Sequence, residues 1–444
     1  FRCLQTFLDM KEPEGFRKTQ NHYFSKYDGQ AVTFRELLSS AGEVIQDPES
    51  LQQFERWFSQ QGTPHIEIEI SSGQLVVKQS CPHPQTGALQ KPFLIPFSFE
   101  LLRKDGTVAV PKSNSILTEE THQFDIPNSN GLIPIFMHGY SAPVELHYNY
   151  SLDELACLMS HAQDPYCRWE AGQNYSLMAF NAMLDRLKER GEKADISDLL
   201  EPYVHALENP QLSLLAKAQL LQIPTLRAIS QKFNDYDFVK LKKARNFFLK
   251  ELGIHCKSIL HSLLEKHLPP EKFAPTSEQM QTRELRKAAL RILAESDPSM
   301  AHQLVITYKN AKDFDTAFST FNICSNIDSP LKNAVIGDFY EKWKNDKAVF
   351  NFWLSAQSSG QTCTTTDLKR LMNTPGYDPN NPNHVRAVLR AFTSNLGQFH
   401  DAKGEGYAFI VDQILTISKS NAYIAHGLAS YAFIDYDQLP SSQK

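Results

Sequence analysis

The order of apolar and polar positions changes its period near residues 58 and 151. Up to residue 58, apolar residues recur at helical spacing, which predicts four helices at 1–10, 13–27, 33–44 and 48–58. Thr33 and Glu36 have the spacing of a capping box, so the third helix should begin there. Apolar positions such as Phe34 and Leu38 would be exposed on helices without a partner layer, so we expect something outside this chain to cover them.

From residue 64 the period becomes two, which is typical of strands with one solvated face. Ile66, Ile68 and Ile70 alternate with polar residues, and a second alternation runs over 93–101. We predict a small all-β unit of roughly six to eight strands at 59–150. Because Pro92 and Pro96 have no N–H group, the strand at 93–101 should lie at a sheet edge or begin outside the ladder.

From residue 151 onward only helical periods are present. Ser151 and Glu154 form the spacing of a second capping box, immediately before an apolar run. The predicted helices include 165–169, 175–190, 236–267 and 383–392, with short polar breaks between them. Many helix pairs in series favour an α-solenoid, whose concave face is a natural binding surface. No repeat period is visible, so this interpretation depends on the number of helices.

Composition excludes some classes of protein. The net charge of −5 over 444 residues argues against nonspecific nucleic-acid binding. No apolar run reaches the roughly 18 residues that a membrane span needs. Seven cysteines, odd in number and without a Cys-x-x-Cys pair, indicate a reducing compartment. We therefore predict a cytoplasmic protein whose partners are neither nucleic acid nor membrane.

Four blocks of sequence carry a family resemblance. They are YFSKYDGQAVTF with RWFSQQGTP inside 23–64, YSAPVELHY at 140–148, DPYCRWEAGQ at 164–173, and NPNHVR at 381–386 with GEGYAF at 404–409. In this order they resemble the second half of the bacterial aminopeptidase N family of zinc metallopeptidases. The resemblance implies that residues 1–58 end a thermolysin-like catalytic domain, 59–150 form a β-sandwich, and 151–444 form a solenoid-like helical domain that continues further.

The zinc-binding motif of that family is absent from this chain. Such enzymes hold zinc with His-Glu-x-x-His and a later glutamate, but none of the fifteen histidines here is followed by Glu. We therefore expect no catalytic residue, no metal ligand and no cofactor in this chain, and no activity from it alone. For the parent enzyme the resemblance implies zinc, peptide substrates, a catalytic portion upstream of Phe1 as partner, and a monomeric state.

Arg386 is the leading candidate for contact with substrate. It matches the arginine of the family's Asn-Pro-Asn-x-x-Arg motif, which projects toward the substrate cavity and could meet a peptide carboxylate. A plain helix-surface arginine is the alternative. In the same motif Asn383 is predicted to be the N-cap of the helix, preceded by a turn at Asn381 and Pro382.

A second set of candidates lies near the end of the chain. Where the family can carry a glutamine and an arginine facing the cavity, this sequence has Tyr423 and Gly427, with His426 beside them. We predict that Tyr423 and His426 line the channel together with Arg386 and Asn383. Packing or surface roles are the alternative for Tyr423 and His426.

Two functions from different classes remain open at this point. The first is the non-catalytic half of a zinc aminopeptidase, which caps and shapes the cavity for peptides. The second is a sandwich-plus-solenoid module that binds other proteins and has no enzymatic parent. Helices 1–58 favour the first, because an independent module would rarely begin with a partial layer.

Overall fold

The computed structural model describes residues 1–191, 194–232, 237–327, 329–401, 403–434, 436 and 439. These residues form two compact units, Phe1–Tyr175 and Ser176–Lys444, with the division inside one long helix.

The first unit consists of short helices, seven strands and two further helices. Its helices are α1 (Arg2–Lys11), α2 (Gly15–Tyr27), α3 (Phe34–Ile45), α4 (Pro48–Phe54), α5 (Arg56–Ser59), α6 (Leu152–His161) and the start of α7 (Pro165–Arg190). Its strands are β1 (His65–Ser71), β2 (Gln74–Ser80), β3 (Ile95–Leu102), β4 (Val108–Leu117), β5 (Thr121–Asp125), β6 (Ile133–Phe136) and β7 (Glu145–His147). The predicted all-β region is therefore confirmed.

The strands form two sheets, as a sandwich requires. One sheet has the order β5-β2-β1-β7 and the other the order β4-β3-β6. All pairs are antiparallel except β1 with β7, which run parallel. Ser72 and Gly73 both have positive φ in the turn between β1 and β2, a conformation that glycine adopts without strain. β7 has three residues and lies at the edge of its sheet, where it pairs with β1.

The sandwich and the helices at residues 1–58 pack on each other. Phe7 is fully buried and its ring stacks on Phe54, with 6.1 Å between centroids. The indole N–H of Trp57 donates to the carbonyl of Leu94 over 2.9 Å. Helices and strands share one hydrophobic core, and Leu38 is 6% exposed within it. The expectation that a partner outside this chain covers Leu38 was wrong, because that side chain is buried in the shared core, whereas Phe34 is only partly buried.

For the strand at 93–101 the sequence predicted either a sheet edge or a start outside the ladder, and the structure has the second. β3 lies between β4 and β6, although its pairs with β6 begin only at Phe99. Pro96 pairs with Ile116 of β4 alone, so its missing N–H falls where β3 has one neighbour. Pro92 precedes the strand, as the alternative prediction allowed.

The second unit has helices and no strand among its described residues. Its helices are the rest of α7, α8 (Ser197–Glu208), α9 (Leu214–Leu220), α10 (Leu226–Ser230), α11 (Phe238–His255), α12 (Lys257–Lys266), α13 (Ser277–Ser296), α14 (Met300–Lys309), α15 (Phe314–Asn326), α16 (Lys332–Trp343), α17 (Lys347–Ser358), α18 (Thr365–Met372), α19 (Pro382–Val385), α20 (Ala391–Thr393), α21 (Leu396–Phe399), α22 (Glu405–Ser418) and α23 (Ala422–Ala432). Between α19 and α20 the residues Arg386–Arg390 form a π-helical turn, the π-turn.

Two predicted helix boundaries differ from the structure. The pieces predicted at 165–169 and 175–190 form one helix, α7, of 26 residues. The helix predicted at 236–267 is two helices, because α11 ends and α12 begins at Cys256. The backbone N–H of Cys256 donates to the carbonyls of Ile254 and Leu252, which tightens the last turn of α11. Its predicted first residue, Tyr236, lies outside the described residues, as do the final residues 440–444.

Candidate functional site

The N-cap of α19 lies two residues earlier in the motif at 381–386 than predicted. Asn381 is the N-cap, and its side-chain oxygen accepts from the N–H of Asn383 over 3.0 Å. The prediction that Asn383 caps the helix was therefore wrong. Pro382 occupies the first helical position because its fixed φ suits the helix and that position needs no N–H donor. Asn383 lies in the first turn with its side chain exposed.

Arg386 is the first residue of the π-turn. The helix predicted at 383–392 is thus present, but its middle is one wide turn rather than regular α-helix. Such turns insert an extra residue and are frequent at functional sites. The π-turn buries Val388 and Leu389 completely, while Arg386 and Arg390 are exposed on its other side.

The two arginines of the π-turn have different surroundings. Among the described residues, Arg386 forms no side-chain hydrogen bond or ion pair, so its guanidinium is open to solvent. The guanidinium carbon of Arg390 lies 4.2 Å from the centroid of the Tyr431 ring, and that of Arg227 lies 5.8 Å from it. The Tyr431 hydroxyl is 3.1 Å from Oγ of Ser394. Arg390 is thereby oriented, whereas Arg386 is free to meet a ligand.

The candidates on α23 are exposed as well. Tyr423 is 78% exposed and His426 also faces solvent, while Ile424 and Leu428 are buried. α23 packs against the π-turn. Arg390 of the π-turn stacks on Tyr431 of α23, a contact that involves neither Arg386 nor Tyr423. A shared channel for the four predicted residues therefore stays a prediction.

Sequence reasoning missed His384, which holds the motif in place. The side chain is buried, and its Nδ1 accepts from the backbone N–H of Asp378 over 2.9 Å. Its ring meets Phe350 edge to face at 5.4 Å. This histidine fixes the loop before α19 and thereby the position of Arg386 at the end of α19. Only its place inside the motif distinguishes it in the sequence.

The GEGYAF block also contributes to packing. Nδ1 of His400 lies 2.5 Å from the Tyr407 hydroxyl, and the ring stacks on Phe238 with 4.5 Å between centroids. Burial, reinforced by the nearby charge of Arg227, lowers the pKa of His400 to about 4. The ring is therefore neutral at physiological pH. Its Nε2 is buried without a hydrogen-bond partner among the described residues.

The sequence lacks the motif with which zinc peptidases of the predicted family hydrolyse peptides. No His-Glu-x-x-His segment is present, so no helix of this chain supplies the zinc ligands of the predicted family. None of the cysteines forms a disulfide. Burial raises the pKa of the Cys157 thiol, which keeps it protonated at neutral pH and a weak nucleophile. Among the described helices, none combines the length and apolar character needed to cross a bilayer.

Comparison with known proteins gives matches along nearly the whole chain. Residues 152–444 match the family described as a domain of unknown function (DUF3458_C) with ARM repeats, and residues 62–149 match the DUF3458 domain of Ig-like fold. The aminopeptidase N of Escherichia coli is 26% identical over 96% of this chain and 50% of its own length. That of Haemophilus influenzae has the same identity and coverage.

A more distant relative and a solved structure agree with these matches. The aminopeptidase N of Caulobacter vibrioides is 25% identical over 92% of this chain and 48% of its own length. The crystal structure of Legionella pneumophila aminopeptidase A in complex with aspartic acid has a TM-score of 0.84 and 23% identity, and the match covers all of this chain and 52% of that one. This likeness supports the fold.

These matches confirm the predicted resemblance and the order of an Ig-like sandwich followed by helical repeats. The chain spans about half the length of the curated relatives it matches. The protein therefore belongs to the DUF3458_C family of ARM-repeat domains and is a relative of aminopeptidase N over nearly its entire length.

Proposed function

We propose that this chain is the non-catalytic portion of a cytoplasmic zinc aminopeptidase that removes N-terminal residues from peptides. The observation that carries the proposal is the similarity to aminopeptidase N over 96% of this chain and 50% of the relative. The catalytic zinc, its ligands and the general base would belong to residues outside this chain. Residues 1–58 would then be the last helices of the catalytic domain, and the working enzyme a monomer.

The helical region would cap and shape the cavity that admits peptides. Arg386 supports this role, because an exposed guanidinium without an internal partner can bind a carboxylate through two parallel hydrogen bonds. Arg390 lies on the same exposed side of the π-turn, where Tyr431 restricts its movement. A peptide entering with its N-terminus first would present its C-terminal carboxylate to such a surface.

The ARM-repeat match favours a second candidate function. Stacked helical repeats commonly bind other proteins along an extended surface. A sandwich-plus-repeat module without an enzymatic parent would have the same fold. The two functions differ in one outcome: only the first predicts that adding this chain to a catalytic portion increases hydrolysis.

The deciding experiment measures hydrolysis of an alanyl-arylamide by the purified chain, alone and mixed with a separately expressed catalytic portion of an aminopeptidase N. We expect no hydrolysis by the chain alone and zinc-dependent hydrolysis on mixing, above that of the catalytic portion by itself. Hydrolysis by the chain alone would overturn its non-catalytic assignment. Mixing without any gain would leave the interaction module as the better explanation.

A further inference from the structure

Three possible metal ligands converge on the exposed face of the β5-β2-β1-β7 sheet. His65 begins β1, and Glu145 and His147 lie on the neighbouring strand β7. In the parallel register His65 is opposite Glu145, and Glu67 is opposite His147. Since side chains two residues apart share a face, all four project from the same side of the sheet.

The ligand atoms are within bonding range of a common point. Nδ1 of His65 lies 3.1 Å from Nε2 of His147 and 3.3 Å from Oε2 of Glu145. One ligand atom from each of the three residues lies within 4.8 Å of the others. The imidazole rings are nearly parallel, at an angle of 14°. The side chains of His65 and Glu145 are 33% and 58% exposed, so ions in solution can reach them.

These separations match those of neighbouring ligands around one ion. With metal–ligand bonds of about 2.0–2.2 Å and ligand angles of roughly 90–110°, adjacent ligand atoms are about 2.8–3.6 Å apart. Both measured distances from Nδ1 of His65 fall in this interval. A single proton on that nitrogen can be donated to His147 or to Glu145 but not fully to both. A cation can accept lone pairs from all three atoms at once.

We propose that His65, Glu145 and His147 form a site for a divalent transition-metal ion. Two imidazole nitrogens and one carboxylate are a donor set that suits Zn²⁺, with a remaining position open to water. The negative charge of Glu67, opposite His147, adds to the attraction for a cation. The prediction that this chain offers no metal ligand rested on the missing His-Glu-x-x-His motif, whereas His65 and His147 are 82 positions apart and meet only in the fold.

The ion would fasten the short strand β7 to β1. Backbone pairing between them extends over only three residues, and the N–H of Glu145 donates to the carbonyl of Pro64 over 2.9 Å. Because the three ligands come together only in the folded chain, the ion would bind that state and raise its stability. The site is independent of the proposed peptidase function, since it lies on the sandwich and involves none of its candidate residues.

A second trio of the same residue types supplies a matched control. Glu201 contacts His205 at 3.3 Å and His255 at 2.9 Å. Yet among the described residues the three ligand atoms lie within 4.8 Å of one another in the trio on the strands and not in this one. The control trio therefore pairs each imidazole with the carboxylate without gathering all three around one point.

The test is calorimetric titration of the chelator-treated full chain with ZnCl2, for the wild type and for His147→Gln, Glu145→Gln and His255→Gln. The wild type should bind one ion that raises its thermal unfolding temperature. Replacing His147 or Glu145 should weaken this binding by at least about tenfold, since even outer-shell changes cost that much. The control His255→Gln should bind as the wild type does.

Titration with Co²⁺ adds a readout that needs no variant. The visible ligand-field bands of the wild-type complex should indicate nitrogen and oxygen ligands in a site of low coordination number. The proposal is overturned if wild-type chain binds no Zn²⁺ at millimolar concentration, if its titration superimposes on that of folded His147→Gln, or if Co²⁺ gives only the spectrum of the hydrated ion. Circular dichroism verifies that each variant is folded.

Discussion

The guanidinium carbon of Arg390 lies 4.2 Å from the centroid of the Tyr431 ring, so one residue of the π-turn is stacked on the last turns of α23. A cation on an aromatic face contributes about 0.5–1 kcal/mol at exposed sites and more when water is excluded. Arg386, at the start of the same turn, has no comparable contact among the described residues. The π-turn thus combines a fixed arginine with a free one.

Replacing Tyr431 should loosen this attachment. Tyr431→Leu removes the stacking on Arg390 and the hydroxyl contact with Ser394, and we expect the free energy of unfolding to fall by about 1–2 kcal/mol. Urea unfolding followed by circular dichroism measures this loss. The control is Tyr423→Leu on the same helix, where the side chain is 78% exposed and the change should stay within about 0.5 kcal/mol. Equal effects at both positions would contradict a specific role for Tyr431.

Arg386 should affect peptide binding rather than stability. If the proposed function holds, Arg386→Gln raises the KM of the complemented enzyme for a tripeptide by roughly tenfold, because a charged hydrogen bond to the carboxylate is worth about 1.5–3 kcal/mol. An alanyl-arylamide has no C-terminal carboxylate, so its KM should not change. Loss of activity toward both substrates to the same degree would argue against carboxylate recognition. The unfolding curve should match the wild type, since the side chain has no partner to lose among the described residues.

Features that depend on residues close in sequence could be predicted. Thr33 and Glu36 form the expected capping box, with the Glu36 carboxylate accepting from the Thr33 N–H over 2.7 Å. Ser151 and Glu154 do the same before α6. Each box involves residues three apart, so the sequence contains all the information that determines it.

Features that depend on distant residues could not be predicted. The pair of Arg390 with Tyr431 and the pair of His65 with His147 exist because separate elements pack together. The position of β3 inside its sheet was left open for the same reason: Pro96 has no N–H, but the sheet tolerates it where β6 is absent. The π-turn at Arg386 has no local sequence signal.

The shared core of the first unit predicts that its helices and sheets unfold together. Phe7 is fully buried against Phe54, and Phe7→Ala should lower the free energy of unfolding by about 3–5 kcal/mol through lost burial and a cavity. Hydrogen exchange should then accelerate in β3 as well as in α1. In Phe24→Ala the replaced ring is 56% exposed, and exchange in β3 should remain as in the wild type. Faster exchange confined to α1 would show that the helices fold separately from the sandwich.

His400 should make the second unit sensitive to mild acid. Burial lowers its pKa in the folded chain from 6.5 to about 4. Between pH 6.5 and pH 4 the histidine is protonated in the unfolded chain and neutral in the folded chain. The free energy of unfolding is therefore highest above about pH 6.5 and falls as the pH decreases toward 4. At pH 5 the loss should be about 2 kcal/mol, since each pH unit in this window contributes about 1.4 kcal/mol.

Urea unfolding at pH 7 and pH 5 checks this sign and size. His400→Gln has no ionisable ring at that position, so its stability should change less between the two pH values than that of the wild type. His426→Gln is the matched control for the loss of an imidazole, because its side chain is exposed on α23. If the stability of His400→Gln changed between the two pH values as much as that of the wild type, another group would be responsible for the change. The buried ring stacked on Phe238 would then have no part in acid sensitivity.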